Sequence, residues 1–339
     1  MDNLTHTLTA LALSHAGLNR KTRFATLSLV AGQNLPDIDV VALLAGSSAY
    51  LKHHRGISDS ILGATILAAL LAGIIYYFGR TAAPKKTAPP LSAGWLFGLC
   101  WIGAATHVLM DFSDSYGVRP FLPFSGRWCS ADILSAFDPI LLALLAAGLG
   151  LPAILRMVSE EVGARRSTLR RGAAFSLAML VAFWGLRAFA HRCALSLMEV
   201  RTYSDENPRR LGAFPGVTNP FEWTGVVETE SGFYVFPVNV LTDEVHPELG
   251  RAFRKPQPSR ALTAALKTPT ARLFMDFARF PWAEVGESDE GFTVSIRDLR
   301  FSAGPAGRPS PAVQVELDKS LQVRSESFSF SAPEGRGAS

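Results

Sequence analysis

Long apolar stretches alternate with short polar ones over the first 195 residues, and shorter mixed patterns follow to the end of the chain. Runs at Ile61–Phe78, Ala93–Met110 and Ile133–Leu155 are long enough to predict membrane-spanning helices, which need about 20 apolar residues. Ala173–Ala190 is a fourth, despite Arg187. Shorter runs precede them at Leu4–Leu18, Phe24–Leu35 and Val40–Ala49, and fit short, tilted or re-entrant segments. Beyond Arg201 the period changes. GVVETESGFYVFPVNVL alternates around a Glu-Ser-Gly turn and predicts a hairpin, and residues 259–280 have helical spacing. AEVGE, GFTVSIRDLRF and AVQVELDKSLQVRSESF then read as three further strands. The expected fold is a polytopic α-helical membrane domain (1–195) followed by a small soluble α+β domain (196–335) with an antiparallel sheet and a covering helix. The GRGAS tail reads as disordered.

Composition supports the split. Only 18% of residues are charged, against about 25% in soluble chains, and the apolar fraction is 48% with a mean hydropathy of +0.19. The net charge of +4 is modest, and basic residues collect in short loops beside apolar runs, where topology explains them better than nucleic acid does. Arg20, Lys21 and Arg23 form one such loop; Arg80, Lys85 and Lys86 a second; Arg156, Arg165, Arg166, Arg170 and Arg171 a third. The positive-inside rule makes all three cytoplasmic, which places the C-terminal half and most histidines and aspartates of the first half on the outer side. Cys100, Cys129 and Cys193 are too few and scattered for a disulfide framework. The N-terminal stretch lacks a basic region ahead of its apolar run, so it is expected to stay in the mature protein.

Polar chemistry sits at the ends of these runs. In HVLMDFSD, spacings of four and seven put His107, Asp111 and Asp114 on one helix face, where imidazole and carboxylate can share a divalent cation. A polar helix end with Asp114 as a cap fits the same letters. NLPDID carries Asp37 and Asp39 after a helix-breaking Pro36, as ligands or as a helix stop. HHRGISDS brings His53, His54, Arg55 and Asp59 to the start of an apolar run, as ligands with an anion-binding arginine or as an interfacial anchor. His6 in DNLTH is a further candidate; His15, His191 and His246 stand alone and read as structural.

DNLTHTLTALALS, NLPDIDV, HHRGISDS and HVLMDFSDSYGVRPFLPFSGRW, continuing into SADILSAFDP, together resemble the YdjM-like family of membrane-bound proteins, described as predicted metal-dependent hydrolases. NPFEWTGVVETESGFYV and ARFPWAEV extend the likeness into the C-terminal half. The resemblance implies ligand or catalytic roles for His6, Asp37, Asp39, His53 or His54, His107 and Asp111, with Asp114, Asp132 and Asp138 as further candidates. The family pattern runs HHRGxTHS, whereas the penultimate residue of the motif in this chain is Asp59 rather than histidine.

The reading that follows is a metal-dependent hydrolase of the inner membrane, acting at the membrane surface on a lipid or other amphiphilic phosphoryl or acyl ester. The metal, zinc or manganese, would be held by His6, Asp37, His53, His54, His107, Asp111 and Asp114; Asp39 or Asp59 would accept a proton, and Arg55 would orient a phosphate. Membrane lipids are the expected partners, and nucleic acid is not. The rival is a non-enzymatic membrane protein whose polar cluster is structural or binds metal only, with the C-terminal domain as a binding module.

Overall fold

The computed structural model describes residues 1–83, 86–161, 169–302 and 310–330. Lys85, Arg165, Arg166 and the GRGAS tail lie outside them. The chain divides into two compact units: Met1–Val40, His54–Phe189 and Val217–Asn219 form the first, and Val41–His53, Ala190–Gly216 and Pro220–Ser339 the second.

The first unit is helical. Helix α1 (Asn3–His15) is capped by Asp2, whose carboxylate accepts from the Thr5 amide at 2.9 Å and the Thr5 hydroxyl at 2.6 Å. Helix α2 (Ala25–Asn34) ends at Pro36, which has no N–H to continue it, and the chain bends by 43° into a 3-10 helix, Pro36–Ala45. The long helices are α4 (Ile61–Thr81), α5 (Ala93–Ser113) and α7 (Leu169–Glu199), each long and apolar enough to cross a membrane. The bent α2 pair would make a fourth span.

Helix α4 is sorted by size. Its inner face carries Gly63, Ala64, Ala68 and Ala72, packed on Leu96, Cys100 and Ala104 of α5, while Ile66, Leu70, Ile74 and Phe78 are exposed. Small residues inward and large ones outward is the arrangement for helices that associate in lipid, where close backbone approach rather than apolar burial drives packing.

One expected span changes. The run at Ile133–Leu155 does not start a helix at Ile133. Helix α6 (Pro139–Glu161) begins six residues later, because Asp138 caps it by accepting from the amides of Ile140 (3.1 Å) and Leu141 (3.0 Å). Residues ahead of the cap bond to the end of α5 instead, Ala131 to Phe112 O at 2.7 Å and Leu134 to Ser113 O at 2.9 Å. The apolar part of α6 within the described residues, Pro139–Pro152, is shorter than the three spans.

The second unit holds two antiparallel sheets where a single one was expected. In the first, β1 (Arg210–Pro215), β2 (Glu222–Glu228) and β3 (Gly232–Asn239) are consecutive, and β3 also pairs with β4 (Glu244–Val245) and β5 (Arg251–Arg254). β2 and β3 are the hairpin anticipated from alternation. Both faces are buried: Trp223, Val227, Phe236 and Val238 pack with Ala194 and Met198 of α7, while Phe214, Val226, Phe233 and Val235 pack with Phe280 and Leu299. The second sheet is a meander, β6 (Pro281–Ser288), β7 (Gly291–Asp298), β8 (Ala312–Asp318) and β9 (Val323–Ser329). The stretch read as one last strand is thus two. The helical stretch 259–280 is likewise two helices, α8 (Arg260–Ala265) and α9 (Pro269–Phe277), separated where Thr268 and Pro269 start a new cap. Helix α3 (Ser47–His53), drawn from the membrane half of the sequence, belongs to this unit; its Ser47 hydroxyl donates to Phe328 O at 2.7 Å.

Candidate metal centre

Helix α5 supplies the centre's axis. A Cβ on Gly103 would lie 2.7 Å from Leu29 O, and one on Gly32 would lie 2.5 Å from Cys100 O, so α2 and α5 touch backbone to backbone. That closeness brings the carbonyl of Gln33 to 2.7 Å from His107 Nδ1. A carbonyl only accepts, so this contact assigns the proton to Nδ1 and leaves the lone pair on Nε2.

Nε2 faces three carboxylates. Asp59 Oδ1 lies at 3.2 Å, Asp37 Oδ1 at 3.7 Å and Asp111 Oδ2, one turn along α5, at 3.7 Å. The His6 ring stacks on that of His107 with centroids 4.0 Å apart, and its Nε2 is 3.2 Å from Asp111 Oδ1. Ligand atoms of His6, His107 and Asp111 all lie within 4.8 Å of one another, and all three residues are buried.

His107 Nε2, Asp59 Oδ1, Asp111 Oδ2, Asp37 Oδ2 and His6 Nδ1 are buried and make no aligned hydrogen bond. A polar atom so placed costs about 1–3 kcal/mol, and more where it is charged. Here lone pairs and negative oxygens also repel. A proton on Nε2 could satisfy one carboxylate; a divalent cation among the donors would satisfy all of them. Imidazole nitrogen with carboxylate oxygen is a donor set that holds such ions, so the residues fit a metal.

Arg55 closes one side. Its backbone takes φ of 49°, and its amide donates to Asp39 Oδ2 at 2.6 Å. The guanidinium forks onto Asp114, Nη1 to Oδ1 at 2.7 Å and Nη2 to Oδ2 at 2.8 Å, and donates to Gly117 O at 3.2 Å. Nε pairs with Asp111 Oδ2 at 2.8 Å as a charge contact. Burial disfavours the charged guanidinium, but the carboxylates of Asp111 and Asp114 outweigh it and hold Arg55 well above its ordinary range. The Met1 amine also contacts Asp111 and lies 3.3 Å from Asp114 Oδ2.

The side chains expected from sequence therefore separate. His6, Asp37, Asp59, His107 and Asp111 converge. Asp114 is taken up by Arg55 and by the amides of Tyr116 (2.8 Å) and Gly117 (3.3 Å), which makes it a cap and a counter-ion. Arg55, expected to hold a phosphate, is buried against these carboxylates. His54 lies apart from the converging set, with Nδ1 3.3 Å from Asp39 Oδ1 and its ring edge-on to Tyr116. His53 is exposed at the end of α3, in the second unit. Asp132 accepts from the Ser130 hydroxyl at 3.0 Å, and Asp138 is the α6 cap. His191 packs on Trp223 and His246 lies 3.6 Å from Glu244. Sequence reasoning missed Gln33, which acts through a backbone carbonyl that no residue type betrays, and Ser58, whose hydroxyl donates to Asp59 Oδ2 at 3.1 Å.

Helices of spanning length around a buried His/Asp cluster define a polytopic membrane protein with a candidate cation centre at the ends of its helices. The chain belongs to the YdjM inner membrane protein family, which it matches over residues 1–194. It is also similar to the uncharacterized protein YfhP of Bacillus subtilis (strain 168), at 30% identity over 159 residues, covering 43% of this chain and 45% of that protein's length. No solved structure matches.

Proposed function

We propose that the protein is a metal-dependent hydrolase of the membrane surface, acting on an amphiphile with a phosphoryl or acyl ester at headgroup depth. The observation that carries this reading is the buried cluster of His6, His107 and Asp111, whose ligand atoms lie within 4.8 Å of one another. A divalent cation held there by His6, His107 and Asp111 would supply a water of lowered pKa and an electrophile for the ester oxygen. The chain's own residues do the rest. His107 is fixed by the Gln33 carbonyl, and Asp111 is steadied by Arg55. Asp39 is engaged with His54 and the Arg55 amide, and so braces the turn that carries Arg55. Ile57 and Ile61 are exposed beside Asp59, and Phe121 is exposed next to Pro120, whose carbonyl accepts from the Ile61 amide at 3.0 Å. That apolar rim suits a substrate with an acyl chain.

Metal content of the detergent-purified protein, followed by hydrolysis of a p-nitrophenyl phosphodiester and a p-nitrophenyl ester in mixed micelles, tests the reading. We expect a bound divalent ion and metal-dependent release from one of the two; protein that binds no divalent metal and releases from neither overturns it. The C-terminal unit is proposed to lie outside the cytoplasm, because the basic loops mark the other side. A reporter fused after Arg171 should then read cytoplasmic and one after Arg201 external; the same side for both would refute that topology.

A further inference from the structure

Three of the five converging residues satisfy a minimal cation site. The other two are Asp59 and Asp37, and their geometry sets them apart from ordinary acidic neighbours. Asp59 is fully buried at the turn into α4, with one oxygen held by Ser58 and the other 3.2 Å from the His107 lone pair, unpaired. A buried carboxylate this close to an imidazole nitrogen calls for a proton or a cation between or beside them, and a single proton on Nε2 can serve only one of the three carboxylates there. Asp37 approaches the same nitrogen at 3.7 Å and keeps 18% of its side chain exposed, so it stands on the open side.

We infer that Asp59 and Asp37 are donors to the same cation as His6, His107 and Asp111, and that this oxygen-weighted five-donor set selects manganese(II) over zinc. The inference rests on the metal-centre reading above and adds the ligand set and the ion. Protein zinc sites are mostly four-coordinate with nitrogen and sulfur donors, and five side chains overfill a tetrahedron. Magnesium demands near-ideal octahedral oxygen ligation and keeps several waters, which two imidazoles displace. Manganese accepts both donor types and higher coordination numbers. Charge agrees. Asp111 and Asp114 pair with Arg55 and the Met1 amine, while Asp37 and Asp59 face the His107 ring, so these two carboxylates bring further negative oxygens to a divalent ion. Since zinc binds most sites more tightly than manganese, the selectivity must come from this geometry, and it reads out as a ratio of affinities.

The test uses the full-length protein in detergent micelles, stripped with chelator and dialysed against manganese, zinc or an equimolar mixture. Bound metal is read by mass spectrometry, and manganese also by its paramagnetic resonance spectrum. In wild type we expect manganese to be retained from the mixture. Asp59→Ala should weaken manganese binding by at least about tenfold, the scale expected for a ligand given that outer partners alone cost 10–100-fold. Asp59→His should move the zinc-to-manganese ratio towards zinc by about tenfold or more. Asp59→Asn, of nearly the same shape, guards against misfolding, and should weaken manganese while leaving the elution profile of the micelle complex unchanged. If Asp59→Ala and Asp59→Asn bind manganese as wild type does while His107→Ala loses it, the metal centre stands and Asp59 is not a donor. Zinc retained by wild type from the mixture overturns the selectivity. Wild type that binds neither ion overturns the metal centre itself, and this inference with it.

Discussion

Arg55→Met removes the guanidinium that pairs with Asp111 and Asp114 and leaves its length of apolar chain in place. Arg55 is 4% exposed, Asp114 0% and Asp111 1%, so the carboxylates it abandons stay out of water. Breaking a buried pair by removing one partner costs about 3–5 kcal/mol, because the remaining charge is uncompensated. Asp114 keeps the amides of Tyr116 and Gly117, which argues for the lower end, about 3 kcal/mol, on its account. Asp111 loses the charge contact at 2.8 Å and keeps the Met1 amine and the His6 contact at 3.2 Å, to which a bound cation would add. The penalty should therefore be larger in stripped protein than in metal-loaded protein. Arg55→Lys keeps a charge but cannot fork, and should fall between wild type and Arg55→Met. Unfolding by SDS titration in mixed micelles measures all three. Combining Arg55→Met with Asp114→Asn closes a double-mutant cycle, and the pair should destabilise by less than the sum of the single changes, by about 1–3 kcal/mol. A loss under about 1 kcal/mol for Arg55→Met, or strict additivity in the cycle, would show that the guanidinium does not hold these carboxylates.

Two further outcomes follow from separate parts of the molecule. Gly103→Leu forces a side chain into Leu29 O and Gln33 N, which a Cβ alone would meet at 2.7 and 2.8 Å, so it should separate α2 from α5 and cost both thermal stability and bound metal; Gly98→Leu, where a Cβ meets nothing within 4 Å, is the matched control, and equal behaviour of the two would count against the helix contact. In the second unit, the Ser231 amide, donating at 3.1 Å, and then the Thr229 hydroxyl pull the Glu206 carboxyl down to about 2 from its ordinary 4.5. A depressed carboxyl stabilises the fold fully above pH 4.5 and loses that contribution as pH falls towards 2, so Glu206→Gln should flatten the acid limb of Trp223 fluorescence in that window, and an unchanged limb would refute the assignment.

How much of this was legible beforehand depends on what kind of physics each feature uses. His107 and Asp111 were readable as a pair because a helix of known period forces residues four apart onto one face, and an apolar run as long as α5 leaves no doubt about the helix. The β2–β3 hairpin was readable for the same reason with period two. Features that depend on tertiary partners were not. Asp138 and Asp114 carry the same side chain as Asp111, yet one faces its own helix amides and the other faces Arg55. Nothing local distinguishes an aspartate that caps from one that binds, since both sit at helix ends for the same electrostatic reason. The arginine shows the same limit: beside histidines it suggests an anion, and nothing local says that its guanidinium meets the carboxylates of Asp111 and Asp114.

The boundary between the two halves shows the same limit. Residues 41–53 lie among apolar runs and read as membrane-associated, but they fold with the sheets, where Ser47 and Tyr50 meet Phe328 and Phe330. A short apolar helix carries no mark of whether its face meets lipid or another core, because both solvents ask for the same side chains. The consequence reaches the candidate centre through chain connectivity. Asp37 and Asp39 precede this excursion, and His54, Arg55 and Asp59 follow it, so the residues at its two ends are held in the first unit while the stretch between them folds with the second. The pairing that closes the excursion is Asp39 with Arg55, through a backbone amide at 2.6 Å. A carboxylate bound to a main-chain donor survives replacement of the Arg55 side chain, so Arg55→Met removes the charge at Asp111 and Asp114 without opening that loop. The stability lost in that variant therefore reports the guanidinium's buried contacts, the pairs with Asp111 and Asp114 and the bond to Gly117 O, with the Asp39 contact intact, which makes it a sharper probe of the centre than any change at Asp39.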